Sequence, residues 1–194
     1  MVVDMDRPDA ELDVDPRFPR PMSRAAWLQL VETGALDQQR VELVRGAVVR
    51  MSPITDLHAY VTDWFLNELT RQLPRAYRIS ATSAVTASGE SEPQPDVMVL
   101  PVDWTRIERP PPLLVVEVSV SSLRYDLGVK RELYAETGVP EYWVVDAERS
   151  VVHVHTQPDP AARRYARVAI RCDGDTVRPT LLPGVSLAVR EIPR

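Results

Sequence analysis

Cysteine occurs once in this chain, at Cys172, and of its 23 Lys and Arg residues only Lys130 is a lysine. A single thiol excludes an intramolecular disulfide and a cysteine-based zinc site. With no histidine beside it, Cys172 reads as a small residue near a turn rather than a nucleophile. No apolar run approaches the roughly 20 residues needed to cross a bilayer, and Met1 to Arg20 is acidic and proline-rich rather than basic then apolar. A cytoplasmic protein is expected. The net charge of -5 lacks the basic excess of a non-specific nucleic-acid binder, but it conceals an uneven distribution. Acids crowd the first residues, while arginines cluster around Arg71, Arg75 and Arg78, around Arg124 and Arg131, and from Arg163 to Arg171.

The scarcity of lysine makes Lys130 informative. A chain that favours Arg, Ala, Val and Pro avoids lysine elsewhere, so the position that keeps it is a candidate for lysine chemistry. Its ammonium is a compact point charge with a tunable pKa, able to hold or activate a water.

In chain order, residues 1–21 read as a disordered acidic tail and residues 22–194 as a single domain. Ser23 is a fitting N-cap for a short helix from Arg24 to about Glu32, stopped by Gly34. Two short apolar runs flank Arg45 and Gly46 and predict a hairpin carrying Glu42. Apolar residues at helical spacing predict a helix from about Asp56 to Leu73, with His58 in its first turn. Strands are expected at 77–86, 97–100 and 113–118, then a helix from Ser122 to Glu136 ending near Gly138, then a strand around 142–145. That strand, helix, strand order favours a right-handed unit with 113–118 and 142–145 in one sheet. Later strands at 151–155, 165–170 and 185–189 read as a meander completing the sheet or forming a flap.

The segment Leu113 to Val118 is apolar at every position but Glu117. A buried carboxylate without a partner costs several kcal/mol, so Glu117 demands a cation, a donor set or water beside it. Asp96 heads the neighbouring apolar run. With 97–100 and 113–118 paired, Asp96 and Glu117 face one side of the sheet. Two carboxylates and a main-chain carbonyl, assigned to Val118, form an oxygen-rich site suited to Mg²⁺ or Mn²⁺. Lys130, on the next helix, is within reach to position a nucleophile, and Glu42 is a further ligand or water-holding group. Asp126 stands at helical i, i+4 spacing from Lys130 and reads as its salt-bridge partner. Tyr134 reads as a packing residue.

Pro95-Asp96, Glu117-Val118-Ser119, the run Tyr125 to Lys130, and Gly138 to Asp146 strongly resemble the Uma-two-type restriction endonuclease family of the PD-(D/E)XK nuclease superfamily. Glu42 to Gly46, Met51 to Pro53, His58 and Leu182 to Gly184 resemble further landmarks of that family. The resemblance covers roughly residues 22 to 190. It implies an α/β (α+β), restriction-endonuclease-like mixed sheet flanked by helices, with extra C-terminal strands. It also implies a divalent-metal-dependent endonuclease acting on DNA. Its catalytic residues would be Glu42, Asp96, Glu117 and Lys130, its metal ligands Asp96, Glu117 and the Val118 carbonyl, and its candidate substrate contacts His58 and Arg124. A homodimer is expected, as is common for enzymes that cut duplexes.

Two departures stand out. The superfamily's usual lysine, two residues after the second acid, is replaced by Ser119, with Lys130 arriving from the helix instead. Val120 stands where relatives often carry a polar or acidic residue. The alternative reading is a catalytically inactive nuclease fold that binds nucleic acid or a protein partner through Trp104 and Pro110 to Pro112.

Overall fold

The computed structural model describes residues 13–18, 21–81, 83–87, 89–103 and 111–194. Helix α1 (Arg24–Glu32) opens on Ser23, whose Oγ accepts the Ala26 N–H at 3.2 Å. The hairpin β1 (Val41–Val44) and β2 (Ala47–Arg50) turns through Arg45 and Gly46, both at positive φ. That is the backbone twist a two-residue hairpin loop requires. Helix α2 (Asp56–Gln72) is capped by Thr55, which accepts from His58 N–H, and it stops before Pro74.

A six-stranded sheet follows, in the order β3-β4-β5-β6-β7-β8. Its strands are β3 (Tyr77–Ser80), β4 (Val97–Pro101), β5 (Leu114–Ser119), β6 (Glu141–Asp146), β7 (Val151–Asp159) and β8 (Arg164–Arg171). The β5–β6 pairing is parallel and the others are antiparallel, so the sheet is mixed as expected. Alternation along each strand divides the core. Val97, Val99, Val116 and Val118 pack under Val61, Phe65 and Leu69 of α2. Met98, Leu100, Val115 and Val144 pack on the opposite face with Tyr134 and Tyr142. Each fully buried side chain of this kind contributes about 1.5–3 kcal/mol, so the two layers hold the central strands from both sides.

Three expectations need correction. The tail is not disordered over residues 13–18: Val14 bridges Val49, Asp15 N–H donates to Val48 O, and Arg50 N–H donates to Asp13 O, both at 2.8 Å. The unpaired edge of β2 supplies those groups, and the segment fills it like a third strand. Strand β3 ends at Ser80 rather than running to residue 86. Of the two readings for the late strands, β7 and β8 complete the large sheet, whereas β9 (Thr176–Val177) and β10 (Leu187–Ala188) pair in a small sheet of their own.

The helix after β5 is also not one helix. It is α3 (Leu123–Tyr125), a π-helical turn at Asp126–Lys130, and α4 (Arg131–Thr137), which ends on Gly138 at φ 79. The Asp126 carbonyl accepts from Arg131 N–H, five residues on, and from the buried Tyr142 hydroxyl at 2.9 Å. The second donor stabilises a turn wider than an α-helix allows.

Candidate active site

The register of β4 on β5 builds the floor of the site. Val97 lies opposite Val116, so one step further Asp96 comes opposite Glu117, on the face that carries α3 and α4. Strand β4 has ended there, and the Val118 N–H that would have met it donates to Asp96 Oδ2 at 2.7 Å. Strand geometry sends the Val118 carbonyl to the same edge as its N–H. The floor therefore offers two carboxylates and one main-chain oxygen.

Two more elements close over it. Lys130 Nζ lies 3.0 Å from Glu117 Oε1 and 3.5 Å from Glu42 Oε2, and all three residues are buried. The π-helical turn carries Lys130 into this position. Tyr134 Oη donates to the same Glu117 Oε1 at 2.9 Å. Both bonds fall on Oε1, which leaves Oε2 for another partner. Glu42 is fixed from two further directions, accepting from Tyr125 Oη at 2.9 Å and from Gln94 N–H at 3.0 Å. Glu42 is thus a buried carboxylate held by two hydrogen bonds and one ion pair. Asp126 does not serve as the salt-bridge partner of Lys130. Its Oδ2 accepts from Ser119 Oγ at 2.7 Å and Ser122 Oγ at 2.6 Å. Ser119, in the usual lysine position of the superfamily, is spent on that bond.

His58 Nε2 stands 3.1 Å from Asp96 Oδ1, and its buried Nδ1 has no partner among the described residues. His58 and Val120 both line the cleft that opens onto these groups. Arg124 is exposed and is not among the lining residues. Trp104 and Pro110 lie outside the described residues. The cleft wall also includes Arg40, Arg50 and Asp13, which no motif or periodicity singled out. The hydrogen bonds by which Tyr125 and Asp126 hold Glu42, Ser119 and Ser122 were not legible in the sequence either.

The electrostatics follow from the inventory. Glu42, Asp96, Glu117 and Asp126 surround one ammonium, so acid exceeds base in a water-poor space. Burial, reinforced by Asp96, Asp126 and Glu42, pushes the Glu117 carboxyl well above the usual range despite Lys130. Burial opposes charge on Lys130 too, but the surrounding carboxylates hold its pKa well above normal. Burial also acts on Asp96, yet His58, Lys130 and the Val118 N–H keep it below the ordinary value. Such a site favours one more positive charge, from a proton or from a cation. Among the described residues no group of three or more His, Cys, Asp or Glu is arranged to hold a metal ion. The donor chemistry nevertheless fits a hard cation that keeps several waters, because Asp96, Glu117 Oε2 and the Val118 carbonyl are all oxygen donors.

Comparison with curated proteins finds no match. Among solved structures the chain is similar to one from Anabaena variabilis described as "a putative nuclease belonging to DUF820", at 14% identity and a TM-score of 0.71. The similarity covers 89% of this chain and 97% of that one. At that identity the likeness establishes the fold. The Uma2 family model, described as "Putative restriction endonuclease", matches residues 28–190. That span contains every group gathered at the β4–β5 edge, and the chain belongs to the Uma2 family.

Proposed function

We propose that the cleft hydrolyses phosphodiester bonds in DNA with the help of Mg²⁺ or Mn²⁺. The observation that carries this reading is the meeting of Asp96 and Glu117 from adjacent strands with Lys130 from the π-helical turn, in one acid-rich cleft. Membership in a family of restriction-endonuclease type supports a nuclease role. Asp96, Glu117 Oε2 and the Val118 carbonyl would hold the ion, which supplies Lewis-acid neutralisation of the charge that builds on the phosphoryl group. Lys130 orients the attacking water. Glu42 is a second carboxylate that holds the ammonium, and Tyr134 fixes the Glu117 carboxylate. Two copies of the chain, one for each strand of a duplex, would complete a double-strand cut.

Calorimetric titration of Mn²⁺ into wild type and Glu117→Gln, followed by addition of plasmid DNA, tests the reading. Binding to wild type alone, accompanied by nicking of the plasmid, is the expected result. Absence of Mn²⁺ binding to wild type would favour an inactive nuclease fold. Light scattering at micromolar concentration reports the expected dimer mass.

A further inference from the structure

The cations of the cleft are not equally committed. Lys130 is held between Glu42 and Glu117. Arg50 lies 3.6 Å from Asp13 and 3.6 Å from the buried Asp15, so the N-terminal segment occupies it. Arg40 also lines the cleft and is exposed, yet among the described residues it has no carboxylate partner. An arginine in an acid-rich cleft that pairs with none of the acids has its guanidinium donors available to something from outside.

Its placement says what that would be. The β1–β2 ladder continues one step beyond Val41, because Met51 N–H donates to Arg40 O at 2.9 Å, and this fixes the base of the side chain. Arg40 immediately precedes β1 and stands two residues before Glu42, so the continued ladder places it on the face of Glu42, about 7 Å along the chain from it. Glu42 contacts Lys130, and Lys130 contacts Glu117. Arg40 is thus the next group outward from the inner carboxylates, toward solvent. A polyanion entering this cleft meets net negative charge inside and needs a cation at the mouth, and a guanidinium matches a phosphate with two parallel donors.

We propose that Arg40 forms a phosphate-binding subsite, which anchors the nucleic-acid backbone at a phosphate neighbouring the one that is cleaved. This rests on the nuclease reading above and assigns Arg40 to substrate binding, with no part in the chemical step.

The test is steady-state cleavage of a defined DNA duplex in Mn²⁺ by wild type, Arg40→Ala, Arg40→Lys and Arg167→Ala, repeated over a range of salt. Arg167 is an exposed residue of β8, remote from the cleft lining, and controls for loss of a surface charge. Arg40→Ala is expected to raise KM about tenfold, the weight of one charge-assisted phosphate contact, while kcat stays within about twofold. The slope of log kcat/KM against log salt should become shallower by about one. Arg40→Lys should recover part of the KM, and Arg167→Ala should match wild type. An unchanged KM in Arg40→Ala with an active wild type overturns the subsite and leaves the nuclease reading intact. Equal effects of Arg40→Ala and Arg167→Ala also overturn it, because they would reflect overall charge alone. An inactive wild type overturns both readings.

Discussion

Lys130 Nζ and Glu117 Oε1 are 3.0 Å apart, one on a π-helical turn and the other in the middle of a buried strand. The pair joins the sheet to the helix that crosses over it. Glu42 Oε2 lies 3.5 Å from the same ammonium, so removing Lys130 strands two buried carboxylates.

Lys130→Met is therefore expected to lower stability by about 3–5 kcal/mol at pH 7.5, the cost of leaving a buried charge unpaired. Urea denaturation measures it. The loss should shrink as the pH falls through the raised pKa of Glu117, because protonation of that carboxyl removes one of the stranded charges. A loss below about 1 kcal/mol, independent of pH, would mean that the ion pair carries no such weight.

Glu117 sets the pH dependence expected of the proposed Mn²⁺ binding. Its folded pKa is raised, so in the unliganded protein its contribution to stability is fully present below the unfolded value and is lost as pH rises through the folded value. A cation must displace the retained proton. Between the ordinary glutamate value and the raised one, Mn²⁺ affinity should grow about tenfold per pH unit, with release of one proton. Calorimetry in buffers of different ionisation enthalpy counts that proton. A flat affinity over this window would show that Glu117 is already ionised.

His155 behaves in the opposite sense. Burial pushes its pKa down to about 4, and its Nδ1 lies 3.2 Å from the Tyr142 carbonyl. The unfolded chain takes up a proton near the ordinary value of 6.5, whereas the folded chain does so only near 4. The stability present above the unfolded pKa is therefore lost as pH falls through that interval, by on the order of 3 kcal/mol. His155→Phe should flatten thermal stability between these limits, and an undiminished slope would assign the acid sensitivity to other groups.

Gly46 and Gly138 both adopt left-handed backbone, at φ 74 and φ 79. A Cβ on Gly138 would meet no heavy atom within 4 Å, whereas one on Gly46 would meet Pro21 Cβ at 3.2 Å and Met22 O at 3.3 Å. Gly138→Ala should cost about 1 kcal/mol from its dihedral alone. Gly46→Ala should cost more, because the chain at Pro21 and Met22 has to give way. Equal losses in chemical denaturation would show that the segment yields freely.

These residues also show where sequence reading succeeds. Strand β5 was legible because its apolar run is continuous, and Glu117 because an acid in such a run violates the pattern. Helix α1 announced itself through Ser23 and Gly34, and α2 through apolar residues at helical spacing. The π-helical turn was not legible, because Gly128 within it reads equally well as a tolerated helix glycine and its second support, the Tyr142 hydroxyl, lies sixteen residues away. The same distance problem hid Tyr134, whose bond to Glu117 reads as plain packing, and Asp126, whose partner Ser119 sits on the preceding strand. Asp13 to Asp15 looked disordered by composition, but an unfilled strand edge can order a polar segment that has no core of its own.

The separation of the site residues along the chain governs when the site can exist. Glu42 emerges early in synthesis and Lys130 late, and β5 gains its parallel partner only once β6, Glu141–Asp146, has been made. A nascent chain shorter than this carries isolated carboxylates and no assembled centre. The cleft therefore takes shape only after most of the domain has been translated.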